Sequence, residues 1–459
     1  MSQPLSNFQM RDAEALLHPF TNAVALRGTG AQVIERGEGV RVFDQTGRGY
    51  IEGMAGLWCC GLGFGNAELV EAARAQMEKL PYYHLFSAKS NEPAVELAEK
   101  IKALAPGRMA RVFYQTSGSE ANDTQVKLAW YYNNARGRPA KKKIVARQKA
   151  YHGVTIVAAS LTGLPNSHRD FDLPVEGIRH VSTPHHWKGA EPGESEEAFS
   201  GRLAAELEAR IEAEGPETVA AFIAEPVMGA GGVIVPPAGY FEAIGRVCRK
   251  HEVLMISDEV ICGFGRTGEW FGAQALGYEP TSISMAKQLT AGFLPLSAVA
   301  IDADMAQVVE ANSGKIGTFG HGYTYGGHPV ACAVGVKALE IYERMDAPGR
   351  VRRLAPLFEG HLRRHAGHPL VGEVRTLGLM GGIELAPAGR KAFDAPGKAG
   401  PKLAAELLAR GVIGRAIGDT VAFCPPMTIT EAEMEELFAP LGEALDATMG
   451  WAKAEGHLG

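Results

Sequence analysis

No apolar run in this 459-residue chain approaches the ~18 residues that a membrane-spanning helix needs. The opening stretch MSQPLSNFQMRDAEALLHPF lacks the long apolar centre of a secretory signal, so a cytoplasmic protein is expected. Cysteine is scarce: there are six, with one vicinal pair, Cys59 and Cys60, no C-x-x-C and no histidine at zinc-site spacing. These thiols are expected to be free, mostly buried and in a reducing compartment. An excess of basic charge is lacking too. Lys and Arg number 46 against 52 Asp and Glu, a formal net charge of -6, which gives no electrostatic footprint for nucleic acid. Heptads, fixed-period repeats and low-complexity tracts are all missing, and with them coiled-coil and solenoid architectures.

What is present is an ordinary globular composition, 46% hydrophobic and 21% charged, in a chain long enough for two or three domains. Short β-branched runs alternate with helical patterns through the middle, at 111–115, 143–147, 219–226, 253–258, 282–287 and 297–301. That alternation predicts a mostly parallel α/β sheet. The polar stretch at 187–199 reads as a surface excursion, and RLAAELEARIEAEG after it as a helix. Beyond about residue 330 the pattern changes to a long helix near 329–345 and then short strands such as GLMGGIEL, as expected of a smaller second domain.

Three successive strands end in a charged residue: Glu225, Asp258 and Lys287, 33 and 29 positions apart, about the length of a βαβ unit. In open α/β sheets ligands bind outside the carboxyl ends of the strands, so two carboxylates and one amine are expected to meet in one crevice. A buried lysine is costly unless paired or neutral. To be an amine near pH 7 its pKa must fall by about 3 units, roughly 4 kcal/mol, which burial can supply. A Schiff base to an aldehyde neutralises it covalently. The run VLMISDE also resembles the acidic strand of a P-loop protein, but the nearest loop, NSGKIGT, has Ile after its lysine and lacks the upstream glycine.

The rest of the constellation favours an aldehyde ligand. YQTSGSEAND places Ser117, Gly118 and Ser119 where a helix should begin, a setting that suits a phosphate dianion, although a plain serine cap would look the same. KAYHGVT offers Tyr151 just after a strand, to stack on a flat ring or to fill core. Together these make an anion cradle, a stacking ring, an acid for a ring nitrogen and an amine for a carbonyl.

The blocks SGSEAND, YHG, AEPVMGAGGVIVPP, ISDEVICGFGRTG and SMAKQLTAGFLP closely resemble the class III pyridoxal-phosphate aminotransferases of fold type I. The resemblance runs from LHPFT near residue 17 to GVIGRAIGDTVAFCPP near 425. It implies an α/β fold with a large cofactor domain (56–329) and a smaller α+β domain formed by the termini (1–55 and 330–459). It casts Lys287 as the Schiff-base lysine and proton shuttle, and Asp258 as the partner of the pyridinium nitrogen. Ser117, Gly118 and Ser119 would hold the phosphate, Tyr151 would stack on the ring, and Glu225 would lie behind it. His152 and Val260 belong to the same cofactor blocks. Thr324, in HGYTYGGHP, resembles a threonine that reaches the phosphate from the neighbouring subunit, which implies a homodimer. AKQLTAGF departs from the glycine more usual after this lysine.

The branch is read from substitutions. Where ornithine- and 4-aminobutyrate-type members carry a second glutamate after the EP motif, this chain has Ala230. Arg415, in GVIGRAIGD, matches an arginine that binds a substrate carboxylate in pyruvate-dependent ω-transaminases. Trp58 and Phe86 match positions that form an apolar pocket over the cofactor there. The resemblance therefore implies an amine or ω-amino acid:pyruvate transaminase with a ping-pong cycle. Its alternatives are 2-oxoglutarate-dependent transamination, aminomutase or dialkylglycine decarboxylase chemistry, and a module that keeps the fold without turnover.

Overall fold

A computed structural model describes residues 5–457 other than 388, 390, 391 and 394. Near the N-terminus β1 (Ile34–Glu38), β2 (Arg41–Asp44) and β3 (Gly49–Glu52) form an antiparallel meander. The central strands follow: β4 (Met109–Gln115), β5 (Lys143–Arg147), β6 (Ile178–Val181), β7 (Val219–Ala224), β8 (Leu254–Asp258), β9 (Ser282–Met285) and β10 (Ser297–Asp302). The C-terminal part supplies β11 (Val371–Leu377), β12 (Met380–Leu385), β13 (Val412–Ile413), β14 (Arg415–Ile417) and β15 (Thr420–Phe423).

The seven central strands lie in the order β4, β10, β9, β8, β7, β5, β6. All neighbours are parallel except β10, which is antiparallel to both β9 and β4. The cause is the connection. Between β9 and β10 the chain turns through residues 286–296 with no crossover helix, too short a path to return it parallel. Lys287 opens that turn.

Every residue of β7, β8 and β9 is buried, as both-face coverage requires. Alternate residues serve the two faces. Phe222 and Ala224 pack with helices Glu196–Glu214 and Tyr240–Lys250, while Ala221 and Ile223 pack with helix Gly118–Ala135. Truncating a ring such as fully buried Phe222 would cost about 3–5 kcal/mol.

The six expected strands are all present. β6 went unread because its four residues include Arg179 and His180. The stretch at 187–199 is not a plain excursion: Ser195 caps helix Glu196–Glu214, which buries Phe199, Leu203, Leu207 and Ile211 at four-residue spacing. The long helix is Pro329–Arg344. Beyond it β11, β12, β15 and β14 form an antiparallel sheet. β13 pairs in parallel with β3, Val412 beside Ile51, so the two ends of the chain share one sheet. The six cysteines are free, four of them buried.

Candidate active site

Because β7, β8 and β9 are adjacent and parallel, their carboxyl ends bring Glu225, Asp258 and Lys287 to one cavity of about 140 Å³. Gly118, Ser119, Tyr151, His152 and Val260 also line it, as the sequence led one to expect. So do four residues that sequence reasoning missed: Asn122, Gly153, Ile261 and Ala286. Asn122 had a signal, since it stands four residues after Gly118 on the same helix face, and Gly153 closes the YHG block.

Asp258 is tightly held. Its Oδ2 accepts from Asn122 Nδ2 at 2.7 Å and from His152 Nδ1 at 2.8 Å, and its Oδ1 from the Val260 N–H at 3.1 Å. Glu225 closes the wall beside it, with Oε1 accepting from the Tyr151 N–H and Oε2 from the Gly229 N–H, both at 3.1 Å. Burial raises the Glu225 carboxyl above its ordinary range, and the charge of Asp258 adds to that against His152 and Arg147.

Lys287 sits at φ +48 at the start of its turn. Burial lowers its pKa, although Cys59, Asp258 and Glu225 pull the other way; the Arg415 charge adds to the fall. The enclosure therefore favours the neutral amine that nucleophilic chemistry needs. The turn ends at Ala291, which adopts a left-handed φ of +50 that glycine would take without strain. The usual glycine after the lysine is replaced here by Gln288, which is fully buried.

The floor is built for close approach. A Cβ on Gly118 would lie 3.2 Å from Val260, and one on Gly153, at φ +131, only 2.4 Å from the Ser119 hydroxyl. Gly118 and Ser119 open the helix Gly118–Ala135, where N–H groups have no partner inside the helix. Ser117 caps that helix. Its hydroxyl accepts from Glu120 N–H in a capping box, and it does not line the cavity. Two buried polar atoms, Asn122 Oδ1 and His152 Nε2, have no hydrogen-bond partner. Glycines under a helix N-terminus, unsatisfied polar atoms beside Asp258 and an enclosed amine suit a flat phosphorylated ring with a carbonyl.

The other expected residues lie elsewhere. Trp58, 2% exposed and at φ +64, belongs to a buried apolar cluster with Met54, Val227, Val233, Ile261 and Met380, of which Ile261 lines the cavity. Phe86 is 45% exposed and lines a separate concavity of about 850 Å³ beside edge strand β4. Thr324 is exposed outside its own chain's Lys287 cavity, its carbonyl accepting from the Tyr82 hydroxyl at 2.9 Å. Ala230 is half-buried in the loop after β7. Arg415, on β14, is not part of the cavity lining, but Tyr151 and Lys287 both feel its charge. Burial lowers its pKa, and among the described residues no carboxylate lies within 4.0 Å of it.

A lysine and an aspartate on adjacent strand ends, with a phosphate-sized cradle at a neighbouring helix, define a pyridoxal-phosphate transferase of fold type I. The family model for class-III aminotransferases matches residues 25–445, and the chain belongs to that family. It is an aminotransferase that depends on pyridoxal phosphate. Among its relatives, gamma-aminobutyrate transaminase 1, mitochondrial, of Oryza sativa subsp. japonica is 46% identical over 94% of this chain and 84% of its own length. An uncharacterized aminotransferase of Sinorhizobium fredii is 44% identical over 98% of each. An ω-transaminase from Pseudomonas jessenii, solved in complex with PMP, superposes with a TM-score of 0.96 at 49% identity, covering 97% of this chain and 99% of that one. No helix among the described residues is long and apolar enough to cross a membrane.

Proposed function

We propose that this aminotransferase moves an amino group from a primary amine or ω-amino acid to pyruvate in a ping-pong cycle. Gly118 and Ser119 would hold the cofactor phosphate, Tyr151 and Val260 would pack on the ring, Asp258 would pair with its nitrogen, and His152 and Glu225 would complete the wall. Bound there, pyridoxal phosphate supplies an aldehyde for amines and a ring that withdraws electrons from the amine-bearing carbon. Lys287 Nζ, which burial favours as the neutral amine, would take the proton from that carbon and pass it to the cofactor. Asn122 and His152 fix the Asp258 side chain by hydrogen bonds, so that it would stay in place for the ring nitrogen. Tyr151 and Ile261 help keep bulk water from the reacting carbon.

The observation that carries the choice of acceptor is Arg415. A half-buried guanidinium with no carboxylate partner among the described residues is ready to bind one, bidentately, from a substrate. With Ala230 where a gating glutamate would stand, nothing at that position competes for it. Pyruvate brings one carboxylate, matched to one free arginine. The names of the plant relatives favour 4-aminobutyrate as a donor; the second reading, with 2-oxoglutarate as acceptor, needs a cation for a further carboxylate. The same proposal makes the enzyme a cytoplasmic homodimer in which Thr324 serves the cofactor of the other subunit.

The test is the visible band of the bound cofactor. Bleaching by 1-phenylethylamine or β-alanine and recovery with pyruvate supports the proposal. Recovery with 2-oxoglutarate alone moves the protein to the second reading. Loss of carbon dioxide from a dialkylglycine marks the decarboxylase alternative.

A further inference from the structure

We infer that Arg375 is a positioning residue for carboxylate recognition, fixing where Arg415 stands relative to the Lys287 cavity. The inference rests on the reading of Arg415 given above. Arg375 comes from β11, about forty residues before Arg415, and is 7% exposed. Unlike Arg415 it spends its guanidinium completely. Nε donates to the Val233 carbonyl at 3.2 Å and Nη2 to the Gly232 carbonyl at 2.6 Å. Nη2 also reaches Glu384 Oε2 at 2.8 Å and the Thr420 hydroxyl at 3.3 Å, while Nη1 donates to Glu373 and lies 3.1 Å from His185 Nε2. Thr420 in turn donates to Glu384 at 2.6 Å.

These contacts tie together two segments that flank the site. One is the loop after β7. Its far end holds the Glu225 carboxylate through the Gly229 N–H, and Glu225 holds the Tyr151 backbone. Its near end is strained: Gly232 has φ +116, and Val233, a β-branched residue, has φ +53, a conformation that costs about 1–3 kcal/mol and persists only where the surroundings impose it. The two carbonyls of these residues are the ones Arg375 grips. The second segment is the β14–β15 hairpin. Thr420 pairs with Ile417 there, and Arg415 stands on the same short strand opposite Ala422. A Cβ at Gly232 would lie 3.1 Å from the Thr420 hydroxyl, so loop and hairpin touch directly at the guanidinium. The fork thus sets the spacing between the Tyr151–Glu225 wall and the strand that bears Arg415.

The test uses Arg375→Lys, which keeps a cation beside Glu373 and Glu384 but cannot grip both carbonyls. Thr420→Val, which loses only a hydroxyl, is the milder second variant. Each is measured as holoenzyme alone and in an Arg415→Ala background, with pyruvate KM and kcat, and with the rate of the half-reaction with 1-phenylethylamine, which has no carboxylate. The expected result is a pyruvate KM raised about tenfold by Arg375→Lys, a smaller rise for Thr420→Val, and a half-reaction within about twofold of the parent. In the Arg415→Ala background the further rise should vanish, the non-additivity that marks two residues acting through one contact. A rise that persists at full size in that background overturns the positioning role, as does an equal loss with the carboxylate-free amine. If Arg415→Ala alone leaves pyruvate KM unchanged, the reading of Arg415 is overturned and this inference with it.

Discussion

Replacing Asn122 by aspartate puts two carboxylates where one now stands. Asn122 Nδ2 donates to Asp258 Oδ2 at 2.7 Å and also to the His152 carbonyl at 2.7 Å, and Asn122 and Asp258 are 1% and 3% exposed. Aspartate keeps the shape and turns the donor into an acceptor. Two unit charges at that 2.7 Å separation, with an effective dielectric of about 20, repel by about 6 kcal/mol. The lost charge-assisted bond adds about 1.5–3 kcal/mol. The variant escapes most of this by keeping one proton between the two oxygens, which restores the hydrogen bond. Its folded state therefore holds a proton to well above the ~3.9 at which an unfolded aspartate releases it. A group retained in that direction gives stability that is full below about pH 4 and is lost as pH rises, at about 1.4 kcal/mol per pH unit. Urea unfolding of the cofactor-free protein, followed by circular dichroism, measures this. The parent and Asn122→Asp should nearly coincide near the acid end of the folded range and separate by several kcal/mol at neutral pH and above. Asn122→Leu is the control, which removes the donor without adding a second carboxylate. A constant offset between parent and Asn122→Asp at every pH would refute the reasoning, because it would mean that the two side chains do not share a desolvated contact.

Three further outcomes follow from the same geometry. Lys287→Ala should slow single-turnover amino transfer by at least about a hundredfold while leaving the thermal midpoint unchanged or higher, since an amine buried in a site that disfavours its charging is removed; an active variant would dismiss Lys287 as the base. Gly153→Ala should drive Ser119 away and break its hydroxyl's bond from the Val154 N–H, now 3.1 Å, so the cofactor should wash out on dialysis where the parent retains it. Glu384 is pushed up by burial but held down to about 2 by Arg375, Lys188 and Thr420. A carboxyl lowered in the folded state gives stability that is present above about pH 4.5 and lost as pH falls toward about 2, about 3 kcal/mol in all. Glu384→Gln should flatten acid unfolding across that window, and an unchanged slope would assign the acid sensitivity to other groups.

The positions of Glu225, Asp258 and Lys287 were legible because a strand end is a local event: an apolar run stops, a charged residue follows, and an open α/β sheet places such ends on one edge. The strands themselves were legible for the same reason, down to the apolar runs of β7 and β8. β6 was not, since its side chains are half polar and its identity as a strand comes from pairing with β5. What local pattern cannot give is which side chains meet. Asn122 finds Asp258 across 136 positions, and Arg375 finds Gly232 across 143. Both are polar residues on elements whose own periodicity says only that they face inward. Ser117 shows the converse. A serine at a helix start is ambiguous between a cap and a ligand, and the capping box with Glu120 shows the cap while leaving the hydroxyl its own proton to donate. Trp58 is ambiguous in the same way, since an aromatic that matches a pocket position also fills core, and here Trp58, at positive φ like Ala55 and Gly56, belongs to the buried apolar cluster that includes Ile261. Chemistry written as single residues at strand ends is therefore readable from order alone, whereas the groups that tune and place those residues become visible only when the sheet has brought distant segments together.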